Sequence, residues 1–145
     1  MLLETTSLSV GRGTDLPFEQ FGAPWLDARG LVAALHERRI PGVAFMPVTF
    51  TPGSSKHTDV ACAGVRVQVL DRAALDPLRV VFEIAALLHA RHAVDWSLNE
   101  LDVLLCSRPT LARLHAGDAP DLIAEELARE AVAWQARTRP YRLYR

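Results

Sequence analysis

Lysine is almost missing from this 145-residue sequence, which has one lysine among 16 basic residues and a formal net charge of only −1. A chain this close to neutrality lacks the positive excess that draws proteins to nucleic acid or anionic membranes, so neither is expected as a partner. The two cysteines, Cys62 and Cys106, match no zinc-binding spacing, and the sequence predicts neither a metal site nor a cofactor. Both are expected to be buried free thiols, with a disulfide as the alternative if the chain is exported.

Long apolar runs are missing as well. No stretch approaches the roughly 18 apolar residues that a membrane-spanning helix needs, and the N-terminus lacks a basic leader with an apolar core. The chain as given is therefore expected to be cytoplasmic, with the periplasm or the exterior as the alternative if it is an excised fragment. Half of its residues are hydrophobic, which at this length predicts a single folded domain over residues 1–145.

Hydrophobic patterning predicts strands mainly in the first half of the chain and helices in the second. Strands or strand ends are expected at residues 1–4, 43–50, 64–70 and 141–144. Helices are expected at residues 27–39, from 76 onward, from 97 to 105, from 107 to 116 and from 118 to 138. The first, second and last of these are expected to be capped by Asp27, Asp76 and Asp118. This distribution predicts an α+β fold in which helices cover a small mixed β-sheet. Phe18, Phe21 and Trp25 are expected to join its core, with a platform for a sugar as the alternative.

The most distinctive stretch runs from Glu4 to Thr14 and reads ETTSLSVGRGT. It is rich in hydroxyl side chains and places Arg12 between two glycines. Glycine lets the backbone adopt positive φ or approach a ligand closely, and a guanidinium offers a planar fork of donors to an anion. A polyhydroxylated, anionic ligand suits this composition. The alternative is a turn whose hydroxyls satisfy only their own backbone.

A second polar loop, residues 52–59, contains the lone lysine, Lys56, followed by His57. Both side chains could join Arg12 in holding an anion, whereas the alternative is a solvated turn. The candidate ligand-binding residues of the two loops are Glu4, Thr6, Ser7, Ser9, Gly11, Arg12, Gly13, Thr14, Lys56 and His57. No catalytic residue is assigned, and Glu4 is only a weak candidate.

The same stretch carries a resemblance to a known family. Glu4 to Thr14, followed by Pro17-Phe18 and by Gly-Ala-Pro-Trp at 22–25, resembles the signature E-G-T-N-L-S-x-G-R-G-T…P-F…G-A-P-W of the NamZ-type exo-β-N-acetylmuramidases. The resemblance continues through residues 50–52, 55–57, 62–65 and 141–144, and so covers essentially the whole chain. Thr5 stands where the family usually has Gly, and Ser7 where it usually has Asn.

The resemblance implies a C-terminal domain of a peptidoglycan-recycling glycosidase, beginning inside the family pattern. The N-terminal Rossmann-like domain is then expected to be absent, with the principal catalytic carboxylates on it. The implied ligand is an N-acetylmuramic acid-containing sugar or a muropeptide. The hydroxyl-rich loop would contact the sugar, and Arg12 its lactyl carboxylate. Alone, the domain is expected to bind weakly and to be inactive.

Two other classes of function stay open. One is a stand-alone module in which Gly11-Arg12-Gly13 forms an anion nest for phosphate or a nucleotide, although no GxGxxG or GxxxxGK[ST] motif is found. The other is an interaction domain that pairs with a separately encoded Rossmann-like half or with a second copy of itself. A Ser/His/Asp or cysteine hydrolase is disfavoured because the chain lacks a GxSxG elbow.

Overall fold

The computed structural model describes residues 2–144. Its three strands are β1 (Gln20–Ala23), β2 (Val43–Phe50) and β3 (Cys62–Val69). Its helices are α1 (Ala28–Glu37), α2 (Pro77–Arg91), α3 (Asp102–Leu105), α4 (Arg108–Ala116) and α5 (Pro120–Thr138). Single 3₁₀ turns cover Leu2–Thr5, Leu98–Leu101 and Arg139–Tyr141. The predicted α+β class, with its longer helices in the C-terminal half, is confirmed.

The sheet has the order β1-β3-β2, and in the described residues both pairings are antiparallel, so the sheet is not mixed in direction. β3 is central because it pairs with both neighbours, which leaves β1 and β2 at the edges. Pro47 lies opposite Val65 on the edge strand β2. An edge position is where a residue without a backbone N–H is tolerated.

Helices α1 and α2 begin where the sequence supplies caps. The Asp27 carboxylate accepts a hydrogen bond from the Gly30 amide at 3.0 Å. The Asp76 carboxylate accepts from the amides of Leu78 and Arg79 at 2.9 and 3.1 Å, and Pro77 occupies the first turn. These bonds satisfy amides that have no partner inside the helix.

The core lies between the sheet and the helices. Phe21 and Val65 from the sheet are buried in one cluster with Leu35 of α1 and Leu88 of α2. Trp96, which follows α2, is also buried there. The polar loop at residues 4–14 adds Leu8 and Val10 to this cluster. The loop therefore rests on the core, and its position is fixed by the packing of its two apolar residues.

Several predictions were wrong. Leu2 to Glu4 form part of a 3₁₀ turn rather than a strand end, and Met1 lies outside the described residues. Residues 141–144 do not form a strand: Tyr141 ends a 3₁₀ turn, and the next residues are irregular. The α5 cap is Ala119, because the Asp118 carboxylate is bound to Arg113 instead.

Burial also corrects two predictions. Phe21 is buried and Trp25 is partly buried, but Phe18 is 47% exposed. Cys62 is a buried free thiol, and burial raises the pKa of its sulfhydryl. Cys106 is also free but exposed, contrary to expectation. None of the helices within residues 2–144 is both long enough and apolar enough to cross a bilayer.

Candidate functional site

The polar loop is attached to the edge of β1. The Ser9 amide donates to the Gly22 carbonyl at 2.8 Å, and the Gly22 amide donates back to the Ser9 carbonyl at 2.9 Å. Beyond this bridge, Phe18 closes the loop by donating its amide to the Val10 carbonyl at 2.8 Å. The segment between Val10 and Phe18 therefore forms a loop closed by this hydrogen bond, and Arg12 lies within it.

Both glycines flanking Arg12 adopt the left-handed conformation, one of the two roles that the sequence suggested for them. The φ angle is +74° at Gly11 and +77° at Gly13. A Cβ at Gly13 would lie 2.7 Å from backbone atoms of Gly53, in the second polar loop. Gly13 thus allows close packing of two backbones, and this contact brings the two predicted loops together.

Arg12 is held on the surface by two neighbours. Its Nη2 atom donates to Oε1 of Glu4, and its guanidinium carbon lies 5.0 Å from the centroid of the Phe18 ring. The Arg12 side chain is 43% exposed and that of Glu4 is 27% exposed. A guanidinium stacked on an aromatic ring and paired with a carboxylate is restricted in its rotamers, while the Arg12 side chain stays partly exposed.

Lys56 and His57 do not extend to open solvent from the second loop. The Lys56 ammonium donates to the backbone carbonyls of Glu4, at 2.9 Å, and of Thr6. His57 Nε2 donates to the Ser7 carbonyl at 2.8 Å, which places the proton of the neutral ring on Nε2. The two side chains therefore hold the first loop at three backbone carbonyls, those of Glu4, Thr6 and Ser7.

No pattern in the sequence indicates that Glu100 belongs to this site. Its Oε2 accepts a hydrogen bond from the Ser7 amide at 2.5 Å, and its backbone carbonyl accepts from Thr5 Oγ1 at 2.7 Å. In the sequence Glu100 reads as the carboxylate of a capping box that starts at Ser97. Ser97 does cap the 3₁₀ turn, through the Asn99 amide, but the Glu100 carboxylate reaches 93 residues back along the chain.

The hydroxyls of the first loop are mostly engaged by its own backbone. Thr6 is 0% exposed, and its Oγ1 donates to the Leu3 carbonyl at 2.7 Å. Ser9 is 2% exposed, and its Oγ accepts from the Gly11 amide at 3.3 Å. Thr14 Oγ1 donates to the Gly11 carbonyl at 2.7 Å. Thr6 and Ser9 are thus too buried for ligand contact.

Two hydroxyls reach outside the loop: Thr5 Oγ1 donates to the Glu100 carbonyl at 2.7 Å, and Ser7 Oγ donates to the Asp95 carbonyl at 3.0 Å. The predicted residues fall into two groups. Glu4 and Arg12 present partly exposed charged groups, whereas Thr6, Ser9, Lys56 and His57 fix the backbone that carries them.

Within residues 2–144 no three His, Cys, Asp or Glu side chains are arranged to hold a metal ion.

The family model for the C-terminal part of the exo-β-N-acetylmuramidase NamZ matches residues 1–144. The chain belongs to the NamZ C-terminal family. A curated relative, the peptidoglycan β-N-acetylmuramidase NamZ of Bacillus subtilis, is 36% identical over 95 residues, which is 66% of this chain and 23% of that protein. The recognition made from Glu4 to Thr14 and the matching residues that follow is therefore confirmed.

Two crystal structures share the NamZ C-terminal fold. Both are DUF1343 family proteins of Bacteroides fragilis, with TM-scores of 0.79 and 0.64 at 20% and 22% sequence identity. Each alignment covers 99% of this chain but only 40% or 38% of the solved chain. The chain thus spans less than half of these relatives, and at this identity they show the fold alone.

Proposed function

We propose that this NamZ C-terminal domain forms one wall of the substrate cleft of a glycosidase that releases terminal N-acetylmuramic acid from peptidoglycan fragments. Arg12 would bind the lactyl carboxylate of the sugar. Glu4 and Ser7 would lie beside it, and the exposed backbone at Gly13 would allow close approach. The supporting observation is that the signature loop presents the partly exposed Arg12 guanidinium beside Glu4, whose backbone carbonyl is bound by Lys56.

The pairing of Arg12 with Glu4 suggests how an acidic sugar would bind. In the free domain one donor edge of the guanidinium is occupied by Glu4. A carboxylate ligand would bind the solvent-facing donors, giving a charge-assisted and geometrically specific contact. N-Acetylglucosamine lacks the lactyl ether and would miss this contact, so Arg12 would discriminate between the two sugars.

The domain alone would not catalyse hydrolysis. Glycoside hydrolysis ordinarily needs two carboxyl groups about 5 to 9.5 Å apart. The two carboxylates of the site are already engaged within the domain, Glu4 by the Arg12 guanidinium and Glu100 by the Ser7 amide. We infer that the catalytic carboxylates come from the part of the longer family members that this chain does not span.

The first test is calorimetry with the two sugars. Wild type is expected to bind N-acetylmuramic acid more tightly than N-acetylglucosamine. Arg12→Ala is expected to lower affinity for the acidic sugar by about tenfold, which corresponds to roughly 1.4 kcal/mol, with little change for the neutral one. Arg129→Ala, which removes an exposed arginine on α5, is the matched control. Equal affinities of wild type for the two sugars would contradict the role of Arg12.

Inactivity is tested separately with a chromogenic N-acetylmuramic acid glycoside. The isolated domain is expected to release no chromophore above the rate of a Glu4→Gln variant. Turnover by this chain alone, lost in that variant, would show that the domain carries its own catalytic carboxylate. The sugar-binding result and the hydrolysis result are independent, because a wall of the cleft can bind ligand without cleaving it.

A second candidate function is docking to a partner protein, and the end of α5 favours it. Val132 and Trp134 are 66% and 60% exposed, and the aromatic rings of Tyr141 and Tyr144 are exposed just beyond. Contiguous apolar side chains on a soluble surface commonly mark an interface. Sedimentation of the chain alone tests whether the partner is a second copy: a dimer would support this, and a monomer at all concentrations would contradict it.

A further inference from the structure

A cleft of about 540 Å³ lies outside the Arg12 loop, since none of its lining residues belongs to residues 4–14. It lies where the end of α1 and the first turns of α2 face the start of α5. The charged side chains that line it are Glu37, Arg38, Arg79, Glu83, Asp118 and Asp121. Positive and negative groups thus meet in one depression of the surface.

Glu83 is the unusual member of this set. Its side chain is only 4% exposed, and its Oε2 atom is buried without a hydrogen bond in the described part of the chain. Its one ion pair there is with Arg38, whose Nε lies 3.4 Å from Oε2. Buried carboxylates are normally hydrogen-bonded, because desolvation without compensation is costly. Burial raises the pKa of Glu83, which is the direction expected for an incompletely compensated carboxylate.

One of the arginines that line the cleft also has a hydrogen-bond donor that is not used within the described residues. The Nε atom of Arg79 is buried and has no hydrogen-bond partner within residues 2–144. Arg113 of the neighbouring α4 is not free to compensate, because its guanidinium is bound by Asp118 and Glu126. Among the described residues, the cleft therefore contains one buried acceptor and one buried donor that make no hydrogen bond.

The start of α5 adds to the positive side of the cleft. The residue at the helix cap is Ala119, so no side chain satisfies the first amides from that position. A 19-residue helix has a partial positive charge at this end, which favours an anionic group nearby. Asp121 supplies part of the compensation, since its carboxylate accepts from the Leu122 amide at 2.9 Å.

We propose that this cleft binds a small zwitterion of the α-amino acid class, its ammonium group at Glu83 and its carboxylate at Arg38 and Arg79. A simple anion would be repelled by Glu83 and Asp121, and a simple cation by the two arginines. A ligand with both charges satisfies the buried acceptor and the buried donor together. This site is independent of the sugar-binding function proposed for Arg12.

The test is an amide NMR titration with glycine, L-alanine and L-alanyl-L-alanine, using acetate and methylammonium as single-charge probes. Saturable shifts are expected for amides at 79–83 and 117–121 with the zwitterions, with a dissociation constant on the order of 1 mM. Glu83→Gln is expected to weaken binding at least about tenfold, whereas Glu125→Gln, on the exposed side of α5, leaves it unchanged.

Three results would overturn the proposal: no saturable shift with any zwitterion, an equal response to acetate or methylammonium, or unchanged binding by Glu83→Gln. Replacing a buried charge by an amide of similar shape is expected to preserve the fold, which the amide spectrum of the variant checks directly. If that variant does not fold, Arg79→Lys is the second test, since it keeps the positive charge but removes the Nε donor.

Discussion

Gly13→Ala is expected to lower the free energy of unfolding by about 2–4 kcal/mol, because two penalties coincide at this position. Gly13 has a φ angle of +77°, which L-residues with a Cβ adopt at a cost. The new methyl group would also lie 2.7 Å from the backbone of Gly53, a contact that no side-chain rotation can relieve. Urea denaturation followed by circular dichroism measures the loss.

Gly117→Ala is the matched control for this prediction. Gly117 has nearly the same φ angle, +79°, but nothing lies within 4 Å of the position where its Cβ would be. Its substitution is expected to cost only the conformational term, about 1 kcal/mol. The difference between the two variants then measures the contact between the loops. Equal losses would show that the second polar loop moves aside without cost.

Lys56→Met is expected to destabilise the protein by about 2 kcal/mol and to weaken N-acetylmuramic acid binding, because one side chain holds two loop carbonyls. Its ammonium donates to the carbonyls of Glu4 and Thr6. Methionine keeps much of the length and apolar volume of the stem but has no donor. Because Glu4 contacts Arg12, release of this backbone is expected to free the guanidinium as well. Urea denaturation and calorimetry give the two readouts.

Lys56→Arg separates positioning from simple charge. Arginine restores a cationic donor at the same place and is expected to recover most of the lost stability. The affinity for N-acetylmuramic acid is expected to recover as well, as far as the arginine binds the carbonyls of Glu4 and Thr6. Arg142→Met, which removes an exposed cation near the C-terminus, controls for the loss of positive charge. If Lys56→Met lost sugar affinity at unchanged stability, direct contact between Lys56 and the ligand would be favoured over the positioning role.

The errors in the sequence reading have a common physical basis. The alternation of residues 141–144 fits a strand, but a strand needs a neighbour, and the sheet order leaves these residues unpaired. Asp118 has the right chemistry for a helix cap, but Arg113 takes its carboxylate first. Both errors arose because a local pattern was judged without knowledge of what competes for the same groups.

The predictions that were confirmed depended on interactions within a few residues. Asp27 and Asp76 cap the helices they precede, and Gly11 and Gly13 adopt positive φ, because these preferences are properties of the side chain and its nearest amides. Family membership was likewise readable from the residues of the signature. None of these predictions required knowledge of how the chain packs.

The sequence by itself therefore determined the fold class, the family and the loop in which Arg12 lies, since propensities, caps and motifs act over short distances. Only the tertiary structure decided that Lys56, His57 and Glu100 bind the backbone of that loop, and that Thr6 is buried beneath it. The physical reason is that a charged side chain can find its partner 50 or 93 residues away, and only packing decides which partner that is.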